Sequence, residues 1–332
     1  MNTPAYRSFQ EQGAHYFNRQ HIGVPPAPLS LPSAWKGAEL QKHPDTWMYE
    51  LNQTDLEEIQ NAVLLVSQDS LALEEVTRDS FPLPTLGKKV EAWRQTIMTG
   101  TGVQVVKGLP VGQWSEAEIA LAYWGIGHHL GTPGAQNPDN ELLGHVKDYD
   151  EARDDPFVRL YRTNNNIRYH CDAADIVGLL CLKPAKTGGK SRIVSTVSLF
   201  NALYQRHPEW IPRLFEPIKL DRRGELKEGQ KPYSFITPCC FDGEQLRTFY
   251  HSDYYHSVER HDGIDLTTEE AGILSFYDEL GLNPEYYLEM DLQVGDMQFI
   301  SNHVIAHART EYIDFDEREK KRHLLRLWLS AN

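Results

Sequence analysis

The sequence predicts a mainly β chain with helical decoration, an α+β architecture built on one barrel-like or jelly-roll unit. Three observations predict it. Short apolar, β-branched runs of strand length dominate from about residue 100 to residue 329. Helix-start patterns sit at the front of the chain and between those runs. No internal repeat or low-complexity segment interrupts them. The 332 residues, 40% of them AVILMFWYC, supply enough apolar material for a sizeable core. Length alone allows two domains, but β units of this size are often single. Residues 1–99 therefore read as an N-terminal arm and helical decoration packed on the core. Residues 100–332 read as the β core with inserted helices and lid segments, the whole forming one structural unit.

The elements follow in order. Residues 23–32 carry four prolines and form an extended arm. Thr54, with Glu57 three residues on, caps a helix whose apolar face continues through Ile59, Val63, Leu64 and Val66. Ser115 and Glu118 repeat the capping pattern and open a helix to about Gly127. Residues 102–106 are a short β-branched strand, and 175–182 a near-continuous apolar one. A strand over 191–196 leads into a helix from about Ser198 past Leu203. Residues 235–241 and 244–250 flank Asp242-Gly243, a hairpin signal. Thr267 starts a helix to about Leu280. Strands at 288–292 and 297–300 flank a Gly295-Asp296 turn, and 322–329 is the last strand.

Charge and cysteine content narrow the partners. A net charge of −14 argues against a nucleic-acid partner, whose phosphates are bound mainly through Lys and Arg. No run approaches the ~18 apolar residues of a membrane span, and residues 1–8 hold no signal-like apolar stretch. Four cysteines without a CxxC pair make no disulfide framework. Cys239 and Cys240 point to opposite faces of a strand, and Cys171 and Cys181 read as buried thiols. A reduced, cytoplasmic protein with no membrane association is expected, and a homo-oligomer is allowed.

The chemistry concentrates in a few side chains. His170 and Asp172 leave an extended chain on the same face, where one metal ion can take both. A bare His-x-Asp is weak, and a second copy stands at His251-Ser252-Asp253. The first copy gains from its surroundings: the apolar strand after it, Gly188-Gly189-Lys190-Ser191, and far downstream Asn302-x4-His307-Ala308-Arg309 and Arg322-x3-Arg326. Two histidines and a carboxylate with open positions form the facial triad of non-haem Fe(II) oxygenases. An arginine downstream can hold a dicarboxylate by a bidentate ion pair.

These motifs, in this order and spacing over about residues 100–329, resemble the taurine dioxygenase / 2,4-dichlorophenoxyacetate dioxygenase superfamily of Fe(II)/2-oxoglutarate oxygenases, relatives of clavaminate synthase. The resemblance implies a double-stranded β-helix of the clavaminate synthase-like jelly-roll type. It implies that His170, Asp172 and His307 bind Fe(II), and that Arg322 pairs with the distal carboxylate of 2-oxoglutarate. Ser191 falls where the family usually has a threonine touching the same co-substrate, and Arg326 where an arginine lies near substrate or co-substrate. The implied reaction consumes O2 and 2-oxoglutarate, releases succinate and CO2, and hydroxylates, desaturates or cyclises at an unactivated C–H bond. The carboxylate at Asp172 argues against halogenation, because related halogenases carry a small residue there. Two alternatives stay open: a 2-oxoglutarate-independent cupin-type metal enzyme, and a non-catalytic ligand-binding relative.

Other polar residues have blander readings. His303 and His307 are four apart as in zinc proteases, but Val304 stands where that motif needs glutamate, so His303 reads as a packed neighbour. His128-His129 suit a helix C-terminal turn, His145 is structural, Arg309 pairs with a local carboxylate such as Glu311, and the charged run before Arg322 is a solvated loop. Asn166, Arg247, Tyr254 and Tyr255 are candidates to line a substrate pocket built from the N-terminal arm, the 128–168 segment and the 220–262 region. The substrate is expected to be a small molecule. Arg326 and Arg247 point to a carboxylate or other anion, and the tyrosines to an aromatic or amphipathic metabolite.

Overall fold

The apolar run expected at 175–182 forms the strand Ile176–Lys183, and its alternation sorts two faces. Ile176, Leu180 and Leu182 pack into one hydrophobic cluster, while Val177 and Cys181 pack into another. The last strand, His323–Ser330, pairs antiparallel with it and alternates in step. Leu325, Leu327 and Leu329 join the first cluster, whereas Leu324 and Trp328 join the second. These two strands are the middle of a seven-stranded sheet. Its path runs Met48–Glu50, Val103–Lys107, Met297–Ser301, Ile176–Lys183, His323–Ser330, Thr132–Gly134, with Gly144–Val146 also on His323–Ser330. The computed structural model describes residues 5–150, 160–223 and 229–331. Parts of the 128–168 and 220–262 segments expected at the substrate pocket therefore lie outside the described residues, as do residues 1–4 and 332.

A second sheet of four strands runs in the order Tyr287–Met290, Ser191–Ser195, Ile305–Arg309, Ile167–His170. It faces the larger sheet, and a cavity between them is lined from both sides. The two sheets stay separate, so the barrel-like expectation resolves into a two-sheet jelly roll. Helices cover the outer faces. Gln53–Gln68, Leu86–Met98 and Glu116–Leu130 bury Ile59, Val63, Val90, Trp93 and Trp124 on the large sheet. Thr196–Arg206 and Thr268–Gly281 bury Phe200, Leu203, Ile273 and Tyr277 with the second cluster.

Several local expectations shift. The helix over 53–68 is capped by Asn52, whose side chain accepts from the Asp55 N–H, and Asp55 answers at the Asn52 N–H. Thr54 therefore lies inside the helix, because an Asn-x-x-Asp box two residues earlier satisfies the orphan amides first. Leu64 lies off the apolar stripe and is exposed. The Ser115 and Thr267 capping boxes are both present. At Asp242-Gly243 the hairpin is shorter than expected, joining Cys239–Phe241 to Leu246–Thr248. Asp242 caps that turn by accepting from the Glu244 and Gln245 amides. Tyr233–Ile236 pairs instead with Ile218–Asp221.

The segment before residue 20 holds a helix, Phe9–Phe17, with Ser8 and Glu11 as its capping box. Tyr16 anchors it. The ring is fully buried, stacks on His303 at 4.8 Å, and its hydroxyl donates to the Asn302 carbonyl. His15 reaches Asp175 at 2.8 Å. Residues 23–32 contain no regular element, as the prolines require.

Candidate active site

His170 closes the strand Ile167–His170 and sits directly opposite His307 in Ile305–Arg309. Opposed antiparallel partners project to the same face, and the two imidazole centroids are 4.1 Å apart. Asp172 follows just past the strand end, where the Cys171 N–H donates to the Tyr250 carbonyl at 2.7 Å. Ligand atoms of His170, Asp172 and His307 all lie within 4.8 Å of one another, the one such group among the described residues.

The protonation states suit a metal. The His170 Nδ1–H donates to the Arg168 carbonyl at 2.9 Å, which turns Nε2 to the site. Burial, then the neighbouring His170 imidazole, pushes His307 down to about 3, so it stays neutral. Burial by itself would raise the Asp172 carboxyl. Arg326, His307 and His170, with the Trp328 N–H, outweigh it and hold the group at about 2. Imidazoles opposed across a sheet and an ionised carboxylate are the donor set that non-haem Fe(II) uses.

From this cluster a cavity runs between the sheets to Arg322, passing Ser191, Leu179 and Leu324. Arg322 is buried, and burial pushes its pKa down. Its Nη1 is enclosed without a partner among the described residues. Gly189, at φ +67°, lies against it, and a Cβ there would come 3.0 Å from Arg322 Nε. Arg309 also lines this cavity, which corrects the expected pairing with Glu311. It is buried, and donates to the Thr163 and Asn165 carbonyls at 2.7 and 2.5 Å. The two guanidinium groups lie 4.9 and 5.0 Å from the Tyr312 ring. With Arg309 Nε and Nη1 and Arg322 Nη1 buried and lacking hydrogen-bond partners among the described residues, these two cations make the arm suited to an anion. Ser191 donates its hydroxyl to Gln298 Oε1 at 2.9 Å, so the proton must rotate to reach anything in the cavity.

A second cavity opens on the other side of His170 and Asp172. Phe9, Phe17, Phe249 and Trp328 give it an apolar wall, and Arg223, His251 and Tyr254 a polar one. His251, from the decoy His-x-Asp, stacks on Tyr254 at 3.7 Å and stands 5.2 Å from the His170 ring. Burial, then His170, holds it well below the usual histidine pKa. Arg326 lines both cavities and lies 3.4 Å from Asp172.

Three of the expected substrate residues lie elsewhere. Arg247 pairs with Asp242 at 3.4 Å on the hairpin and lines neither cavity, because its strand turns it to the turn carboxylate. Asn166 is exposed and borders a separate cleft with Arg168 and Arg192. Tyr255 is buried in the core. His303 is packed, with Nε2 2.7 Å from Asp175. His145 meets His323 at 2.7 Å, far from the cluster in role and partners.

The model of the taurine catabolism dioxygenase TauD, TfdA family matches residues 69–328. The chain belongs to this family. It is therefore a non-haem iron dioxygenase that uses Fe(II), 2-oxoglutarate and O2, and the cupin-type and non-catalytic alternatives fall away. FR-33289 synthase of Streptomyces rubellomurinus is 29% identical over 308 residues, 92% of this chain and 91% of that protein. A taurine hydroxylase-like protein of Stachybotrys chartarum is 28% identical over 309 residues, 89% and 77% of the two chains. Among solved structures, an asparagine oxygenase in complex with Fe(II), 2S,3S-3-hydroxyasparagine and succinate superposes with a TM-score of 0.67. It shares 16% identity, covering 86% of this chain and 94% of that one. The non-heme iron oxygenase OrfP with Fe and alpha-ketoglutaric acid gives a TM-score of 0.63 at 13% identity, with the same coverage. At such identity the superpositions establish the jelly-roll fold of this TauD-family chain. No helix among the described residues is long and apolar enough to cross a membrane.

Sequence reasoning missed Tyr161, which lines both cavities, and Arg223 and the two phenylalanines of the first helix, which line the second. None of them belongs to a motif, and they meet the site only through tertiary packing. Trp328 did carry a signal, since it shares the strand face of Arg322 and Arg326.

Proposed function

We propose that His170, Asp172 and His307 hold the Fe(II), that Arg322 takes the distal carboxylate of 2-oxoglutarate, and that the second cavity takes a small-molecule substrate. The observation that carries this reading is the convergence of three ligand atoms within 4.8 Å at the junction of two cavities. Iron so held supplies, with 2-oxoglutarate and O2, the oxidising power to attack a C–H bond. The protein's own side chains bind, orient and exclude water. Arg322 and Arg309 supply the positive end of one arm, and Gly189 leaves room for the Arg322 side chain to enter it. Leu179 and Leu324 line the middle of that arm and keep it dry. Ser191 adds a hydroxyl once it turns from Gln298. Phe9, Phe17 and Phe249 face the apolar part of the substrate, and Tyr254, Arg223 and Arg326 a polar or anionic part. An amphipathic metabolite bearing an anionic group fits both walls.

A metabolite library read for 2-oxoglutarate-dependent succinate release tests this, with product masses checked for +16 or −2. Succinate formation that rises with one small molecule and disappears in His170→Ala supports the reading. Turnover that persists without His170 overturns it.

A further inference from the structure

The carboxylate of Asp172 is gripped from the large sheet, and the grip has a support of its own. Trp328 donates its indole N–H to Asp172 Oδ2 at 3.1 Å, and Arg326 Nη1 lies 3.4 Å from the same oxygen. Both residues alternate onto the inner face of the last strand. The Arg326 guanidinium is itself fixed on several sides. Tyr161 and Trp328 place their rings 4.6 and 5.2 Å from its carbon. Gln136 Oε1 accepts from its Nε at 2.7 Å.

Gln136 is 1% exposed and has its remaining amide valences engaged. Its Nε2 donates to the Arg326 carbonyl at 2.7 Å and to the Leu142 carbonyl at 3.0 Å. The amide thus binds both the backbone and the side chain of one residue, which fixes the rotamer of a long flexible arginine. Space for it comes from Gly144, the register partner of Arg326 on the neighbouring strand. A Cβ at Gly144 would lie 2.6 Å from Gln136 Oε1. No motif requires glycine at 144, and the close approach of Gln136 does.

We propose that Gln136 is a positioning residue for the metal site: it holds Arg326 so that Arg326 and Trp328 together fix the rotation of the Asp172 carboxylate. This rests on the assignment of Asp172 as a metal ligand. Two donors on one carboxylate oxygen restrict rotation about Cβ–Cγ, and a preorganised ligand binds metal more tightly because less freedom is lost. Gln136 acts through Arg326 and touches neither iron nor co-substrate.

The test reads metal binding without turnover. Purified apo protein is titrated with Co(II), and the visible cobalt absorption gives both affinity and ligand geometry. Gln136→Met keeps the length and removes the acceptor, and a loss of about 10–100-fold in Co(II) affinity with an altered spectrum is expected. Trp328→Phe removes the other support and should also weaken binding. In an Arg326→Leu background Gln136→Met should add nothing further, because its route to Asp172 is already gone. Gly144→Ala leaves Gln136 in place chemically but displaces its Oε1, and should lower the affinity in the same way if Gln136→Met fails to fold. Wild-type affinity and spectrum in Gln136→Met or Gly144→Ala overturn the proposal, as does a full additional loss in the Arg326→Leu background. His170→Ala separates the two readings. Co(II) uptake that survives His170→Ala overturns the metal assignment, whereas uptake lost there but intact in Gln136→Met overturns the clamp alone.

Discussion

Replacing His170 or Asp172 by alanine leaves two donors where three converge, and Fe(II)-dependent succinate formation should vanish in each variant. Full activity in both would refute the metal assignment. Arg322→Ala removes a buried charged donor, each such contact being worth about 1.5–3 kcal/mol. The 2-oxoglutarate concentration for half-maximal rate should therefore rise ~10–100-fold, measured by succinate release. An unchanged requirement would assign the anchor to Arg309, which shares the Tyr312 ring and the same cavity. Residues of this kind were legible because spacing and strand alternation constrain them. His170 and Asp172 are two apart, and Arg322 and Arg326 share a face with Trp328. Arg309 was misread because its partners, the Thr163 and Asn165 carbonyls, are distant in sequence.

Elements were read best where local hydrogen bonding decides them. The Ser115 and Thr267 boxes each satisfy two orphan groups within four residues, so sequence alone places those helix starts. At 52–55 two overlapping boxes compete, and Asn52 with Asp55 forms the cap. Asn52→Ala should cost about 1 kcal/mol, while Thr54→Ala should stay within about 0.5 kcal/mol. Urea unfolding of the two variants checks this, and an equal or reversed order would restore Thr54 as the cap. The helix Phe9–Phe17 shows the opposite situation. Its capping box is local, but its value lies in Tyr16, which is fully buried against His303 and bonded to Asn302. Tyr16→Ala should destabilise by about 3–5 kcal/mol, as for other large aromatic truncations. A melting temperature within a degree or two of the parent would show that the helix is a surface ornament.

Over the whole molecule, several histidines are held neutral. Burial first, then His129, brings His128 down to about 4. Burial first, then His145, Lys147 and Lys183, does the same for His323. His129 and His303 are lowered as well, chiefly by burial. In the unfolded chain these groups titrate near ~6.5. Below that pH the unfolded state takes up protons that the folded state refuses, so stability is complete above ~6.5 and falls as pH drops toward 4. At pH 5 His128 and His323 should each have lost about 1–2 kcal/mol. Urea midpoints at pH 7.5 and 5 measure the total, and His128→Phe should flatten the slope. A pH-independent midpoint would contradict the neutral assignment. The acidic surface, with a net charge of −14, coexists with a cavity arm holding Arg309 and Arg322. Net charge describes the exterior, and burial decides what the interior attracts.

The sequence by itself determined the strands near 102–106, 175–182, 191–196, 297–300 and 322–329, most helix starts, the His170–Asp172 pair and the arginine row of the last strand. All of these depend on residues within about one turn or one strand of each other, where periodicity and capping act. Only the tertiary structure decided that His307 stands opposite His170, that Arg247 and Asn166 leave the site, and that the first helix walls a cavity. It also brought Gln136 and Gly144 to Arg326. Those placements depend on register between strands far apart in the chain, which is set by packing of whole sheets and leaves no local mark.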